Sequence, residues 1–183
     1  MAEAQNLSPS EPPVTISLTT SSPTCSLSGS PPFTVSIEWA LSGSRPIWAL
    51  ISLNSGRTYG IVIRDPSRKG RRIGPPTTFI ADEGILTIEE DDEDVTLVRI
   101  GPNKPCRISY TFTTEPKVSG LRGSDTAMMK PGMPYELTLR KTCCRWMYED
   151  EMGDGGEVER RRKLRERPLA LFTPDCRAWF EAV

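Results

Sequence analysis

Four groups of residues in this 183-residue chain have the types and spacing to do chemistry. The first is the acidic run at residues 89–94, EEDDED. Carboxylate oxygens are the ligands that Ca²⁺ takes. The run lacks the spaced ligands and central Gly of a helix–loop–helix calcium loop, and neighbouring carboxylates on an extended chain point apart. A solvated loop is the better reading. The second group is the vicinal pair Cys143 and Cys144, which suits a redox switch or a soft metal. It is not Cys-x-x-Cys, and no second pair stands at a zinc-like spacing, so inert structural thiols are expected. The third group is basic: RKGRR at residues 68–72 and RRRKLR at residues 160–165. Such runs serve nuclear import or phosphate-backbone contact. Here 23 Lys and Arg face 24 Asp and Glu, for a net charge of −1. That balance disfavours a nucleic-acid domain, which is usually basic overall. The denser run is the stronger interaction candidate, through Arg160, Arg161, Arg162, Lys163 and Arg165, against a baseline of solvated charges that pair with nearby acids.

The fourth group is the four tryptophans, which could form an aromatic platform for sugars or peptides. Trp39 is in phase with Phe33, Val35 and Ile37 and belongs to a core face. Trp48 is out of phase with Ile47, Ala49 and Ile51, and Leu50 shares its side. That strand is apolar on both faces, so Trp48 is either covered by another element or exposed for binding. Covered is the favoured reading, and Trp48 is kept as a candidate interaction residue.

The chain has no histidine. Ser-His-Asp and Cys-His catalysis in their usual forms are excluded, as are metal sites that need imidazole. GxSxG, SxxK, GxGxxG, HExxH and a Gly-rich loop ending in GK[ST] do not occur. A carboxylate pair could still serve a glycosidase. No catalytic, metal or cofactor-binding residue is assigned, and no cofactor is expected.

The elements that would position these groups are mostly strands. Residues 33–41 alternate apolar and polar, a turn-rich SGSRP follows, and a second apolar run spans residues 47–53; the pair reads as an antiparallel hairpin. Further strands are expected near residues 14–19, 59–63, 77–80, 85–88, 95–100, 106–113, 135–139, 144–148, 169–172 and 177–180. The 17 prolines, nearly double the usual share of about 5%, suit loops and strand ends. Residues 149–167 change character, from EDEMGDGGE to ERRRKLRER, with Leu164 as the one apolar anchor of the second half. They read as a charged insertion, an exposed helix or a long hairpin tip, whose removal would leave the domain folded. Residues 1–13 read as a flexible lead-in ahead of one domain at 14–183. The fold class that follows is all-β, an antiparallel β-sandwich with long polar loops, with a small barrel as runner-up.

Two stretches carry a resemblance. Met129-Lys130-Pro131-Gly132-Met133-Pro134-Tyr135, followed by alternating Leu137 and Leu139, resembles the tyrosine corner of immunoglobulin-like and fibronectin type III sandwiches. The resemblance implies that the Tyr135 hydroxyl bonds back to upstream backbone, with Met129 as the apolar plug. More broadly, the order of PPFTVSIEW, RPIWALIS, IGPNKPCRISYTF, MKPGMPYELTL and CRWM resembles small β-sandwich proteins of filamentous fungi. These are similar in style to the immunoglobulin-like prodomains of fungal metalloproteases. The resemblance implies a fold and no activity. The Cys-Trp-Cys set of antibody domains is not met.

The N-terminus lacks a basic patch followed by an apolar run, and the apolar runs are too short to span a bilayer. Cytoplasm or nucleus is therefore the expected compartment, with the five cysteines as free thiols. The expected function is a non-enzymatic intracellular interaction module with a protein partner and no membrane. The alternatives are a carboxylate- or thiolate-dependent enzyme in a sandwich cleft and a prodomain- or inhibitor-like module.

Overall fold

The computed structural model describes residues 11–52, 61–73, 95–112, 126, 128–139, 142–172 and 174–183. Among them, twelve strands form three sheets. The three-stranded sheet runs β1 (Val14–Thr20), β3 (Thr34–Leu41), β8 (Cys106–Thr111). The four-stranded sheet runs β11 (Ala170–Phe172), β10 (Thr142–Tyr148), β4 (Ile47–Ser52), β7 (Val95–Ile100). The five-stranded sheet runs β2 (Thr24–Cys25), β12 (Arg177–Ala182), β9 (Pro134–Leu139), β5 (Ile61–Asp65), β6 (Arg71–Ile73). All pairings are antiparallel except β2 with β12. Two helices interrupt the strands, α1 (Glu149–Met152) and α2 (Glu157–Arg165). The molecule is all-β in class. The strand candidates at 77–80 and 85–88, and the acidic run at 89–94, lie outside the described residues.

The expected hairpin of β3 and β4 does not form. β3 pairs β1 and β8, whereas β4 pairs β10 and β7. Residues 42–46 turn a corner instead of reversing the chain. Residues 101–105 do the same on the neighbouring strand, between β7 and β8, where Gly101 and Lys104 close a bridge. Trp39 faces Cys106 before the corner and Ile47 faces Ile100 after it, so one long ribbon bends from sheet to sheet. Pro46, Pro102 and Pro105 lack the N–H that a continuous ladder would need, so the ribbon breaks there. The corner is pinned by backbone: the Ser42 N–H donates to the Pro13 carbonyl at 2.8 Å and the Glu149 N–H to the Pro46 carbonyl at 2.9 Å.

The inward faces of all three sheets meet in one core. Ile16, Val35, Ile37 and Trp39 come from the first sheet, Ile47, Ala49, Ile51 and Cys144 from the second, and Ile63, Tyr135, Leu137 and Phe180 from the third. Phe33 closes on Phe112 and Phe180, with ring centroids 5.1 and 4.8 Å apart. Offset and edge contacts of this kind add to the area that the rings bury.

Residues 64–76 read in sequence as a basic loop with glycines and prolines; over the described part, residues 64–73, they form a turn and a strand. Asp65 caps a 3-10 turn at Pro66–Arg68 by accepting from the Ser67 N–H at 2.9 Å. Lys69 at φ 55° and Gly70 at φ 69° then reverse the chain into β6. Lys69 carries a side chain in the left-handed region, where Gly70 sits without strain.

Residues 149–167 are not an exposed insertion. The outer face of the four-stranded sheet presents Trp48, Leu50, Leu97 and Met147, and α1 and α2 lie over it. Met152 and Leu164 are fully buried there, packed with Leu50, Val95 and Met147 in a second apolar cluster. A two-sided apolar strand needs a cover on each face. The sequence pattern showed the need, and these helices meet it with two buried side chains.

Candidate interaction face

The residues singled out from sequence converge on the helical cover. Trp48 lies half-buried beneath it, with the Arg160 guanidinium 4.5 Å from its ring centroid. Arg99 first, and Trp48 as well, hold the nearby Glu149 carboxyl below its ordinary range. Arg161 donates to Glu157 at 2.9 Å and to the Val95 carbonyl at 3.2 Å. Arg162 is held between Glu159, at 2.8 Å, and Glu166. Lys163 donates to the Met152 carbonyl at 2.7 Å, and the Arg165 carbonyl accepts from Arg145 at 3.0 Å. Arg161, Arg162 and Lys163 therefore spend donors on their own chain, whereas the Arg160 Nε is buried without a hydrogen-bond partner among the described residues.

More latches hold the cover down. Arg99 grips Glu149 with two hydrogen bonds at 2.5 and 2.7 Å, and Arg45 grips Asp150 at 2.7 and 2.8 Å. Arg167 pairs with Glu151 at 3.1 Å. The hydrogen bonds from Arg99, Arg45 and Arg162 hold the Glu149, Asp150 and Glu159 carboxyls below their ordinary range. Charge-assisted forks of this kind fix orientation.

A second group of solvent-facing cationic and aromatic side chains lies on the outer face of the five-stranded sheet. Trp179 on β12 is 53% exposed. It stands opposite Glu136 on β9, which stands opposite Arg64 on β5, which stands opposite Arg72 on β6. Register partners share a face, so these four side chains form one row across four strands. Arg177, two residues before Trp179, lies on the same side and donates to Glu136 at 3.1 Å. Glu136 is 9% exposed, whereas Arg64, Arg72, Arg177 and Trp179 are exposed. Arg64 also donates to the Gly70 carbonyl at 3.2 Å, which fixes its stem to the hairpin. Exposed Lys69, in the turn at the edge of this face, extends the cationic rim and has no carboxylate partner among the described residues.

Sequence reading singled out RKGRR at residues 68–72 and the four tryptophans, but did not bring Arg72 and Trp179 together or include Arg64 and Arg177. The signal for this face was the phase of β12, where Ala178, Phe180 and Ala182 point inward and Arg177, Trp179 and Glu181 point outward. Trp179 is out of phase with its apolar neighbours just as Trp48 is. The joining of Arg64 and Arg72 to it depends on strand order, which periodicity does not carry.

The remaining candidates resolve as follows. Cys25, Cys106, Cys144 and Cys176 are free thiols, and Cys25 and Cys144 are fully buried. Burial pushes the Cys106 thiol up; burial and the nearby Asp175 charge push up Cys176. Thiols shifted that way are poor nucleophiles. The Asp65 carboxyl is lowered, first by the Ser67 hydroxyl and then by the Ser67 amide and Arg68. Among the described residues, no group of three or more Cys, Asp or Glu could hold a metal ion, and no helix is long and apolar enough to cross a membrane.

No protein-family model matches the chain, and no curated protein matches it.

Proposed function

We propose that this chain is a non-enzymatic interaction module that engages a protein partner through the outer face of its five-stranded sheet. The observation that carries this reading is Trp179, half-exposed in a row with Arg64 and Arg72 and beside Arg177. Tryptophan and arginine are the residue types that most often dominate binding energy at protein interfaces. The architecture proposed for the module is an immunoglobulin-like sandwich. Its support is the Tyr135 hydroxyl, which meets the Lys130 amide at 2.7 Å in the manner of a tyrosine corner. Four free thiols support a reducing compartment, cytoplasm or nucleus. An enzyme reading has less support. The described carboxylates that shift all shift downward, as ion-pair partners do, whereas a general acid needs the opposite shift.

The test is affinity capture from native lysate with wild type, Trp179→Ala and Val158→Ala. Val158 is 84% exposed on α2, far from the proposed face in the strand order, and serves as the control. The expected result is a partner retained by the control and lost with Trp179→Ala. Equal capture by all three would overturn the proposal.

A further inference from the structure

We infer that the segment received by this face is an extended, acidic peptide with an apolar residue at one end; the inference rests on the reading above. Adjacent strands lie about 4.8 Å apart, so Trp179 stands roughly 10 Å from Arg64 and about 14 Å from Arg72 across the sheet. An extended chain advances about 3.3 Å per residue, so about four residues span the row. Side chains on one face of an extended segment recur every second residue, so an apolar side chain over the Trp179 ring brings the carboxylate four residues on, about 13 Å away, between the Arg64 and Arg72 guanidiniums. The guanidinium fork matches a carboxylate with two parallel hydrogen bonds.

The charge count across the face points the same way. Its strand-borne cations are Arg64, Arg72 and Arg177 and its anions are Glu136 and Glu181, with Arg68 and Lys69 in the turn at its edge; Asp65 and Arg71 pair with each other on the opposite side of the sheet. Glu136 is taken up by Arg177 at 3.1 Å and Asp65 by Arg68 at 3.4 Å. Positive charge is left over toward the β5–β6 hairpin and aromatic surface toward β12, which gives the site a direction. A nucleic acid fits less well. One aromatic ring is a small stacking platform, and Glu136 sits in the middle of the row, where a continuous phosphate backbone would pass.

The experiment is fluorescence anisotropy with three labelled probes: a peptide of one Phe followed by Glu and Asp, its Lys-substituted counterpart, and a single-stranded oligonucleotide. The acidic peptide should bind wild type and weaken as salt rises. Binding should fall at least about tenfold in Trp179→Ala and in the double variant R64E/R72E, as truncated hot spots do. The double variant should gain binding to the Lys peptide, which a misfolded protein would not do. Four results overturn the inference: no binding of the acidic peptide; equal binding by Trp179→Ala; tighter binding of the oligonucleotide through the same residues; or Trp179-dependent self-association on sedimentation. A failed acidic peptide with lysate capture still dependent on Trp179 sinks the acidic identity and leaves the face standing. Capture that ignores Trp179→Ala sinks both.

Discussion

Tyr135 is buried at 1% exposure, and its hydroxyl accepts a hydrogen bond from the Lys130 N–H at 2.7 Å. The resemblance to a tyrosine corner implied that the hydroxyl donates to upstream backbone; the bond is there but reversed, with the phenolic oxygen accepting from the Lys130 N–H. Met129, next to Lys130 in sequence, is 7% exposed and packs in the same core as Tyr135. Gly132 at φ 73° turns the chain between the two halves of the motif, and its N–H reaches the Ala182 carbonyl at 2.8 Å. Tyr135→Phe leaves the Lys130 amide without that partner inside a packed corner. It should destabilise by about 1–3 kcal/mol, the cost of a partly buried unsatisfied donor. Urea melts check this, and an unchanged midpoint would show that the bond contributes nothing net.

Among the elements, the helical cover is where the physical accounting is least obvious. α2 is strongly polar, with Leu164 its one buried residue, and α1 contributes Met152. Two side chains at roughly 1.5–3 kcal/mol each are a thin apolar anchor. The cover also shields Leu50, Val95 and Met147, so its removal would expose the far side as well. Leu164→Ala should therefore cost about 2–5 kcal/mol, as buried truncations do, and should speed amide exchange across α1 and α2 before the main core. Exchange that stayed slow there, or a loss below about 1 kcal/mol, would return residues 149–167 to the status of a dispensable insertion. The arginine latches add orientation more than energy, because most of them are open to solvent and salt.

For the whole molecule, the titrating groups set two flanks of stability. Asp65, Glu149, Asp150 and Glu159 are all lowered in the fold. A lowered carboxyl contributes stability that is present above its unfolded value and is lost as pH falls through the folded one. Cys106 and Cys176 are raised, so their contribution is present below the ordinary thiol value and lost as pH rises beyond it. Thermal melts across pH should give a plateau through neutrality, with Tm falling toward acid as the carboxylates protonate. The helical cover should loosen first, because three of the four lowered carboxylates lie in it. A Tm that rose toward acid would contradict these ion pairs.

The all-β class, the inward faces of β1, β3, β8 and β9, and the core place of Trp39 were legible in the amino-acid sequence by itself. An alternation of two needs only local stereochemistry to be read, and the absence of histidine needs only counting. The two-sided apolarity of β4 also showed that something must cover Trp48. Tertiary structure decided which strands pair. The SGSRP turn serves a hairpin or a corner equally well, and only the partners on each side, β8 and β7, choose between them. Tertiary structure also chose which charges are spent. Arg161, Arg162 and Lys163 find partners within their own cover, while Arg64 and Arg72 are carried by strand order into a row with Trp179. Periodicity tells a side chain which face it is on; only the packed sheets decide what else shares that face.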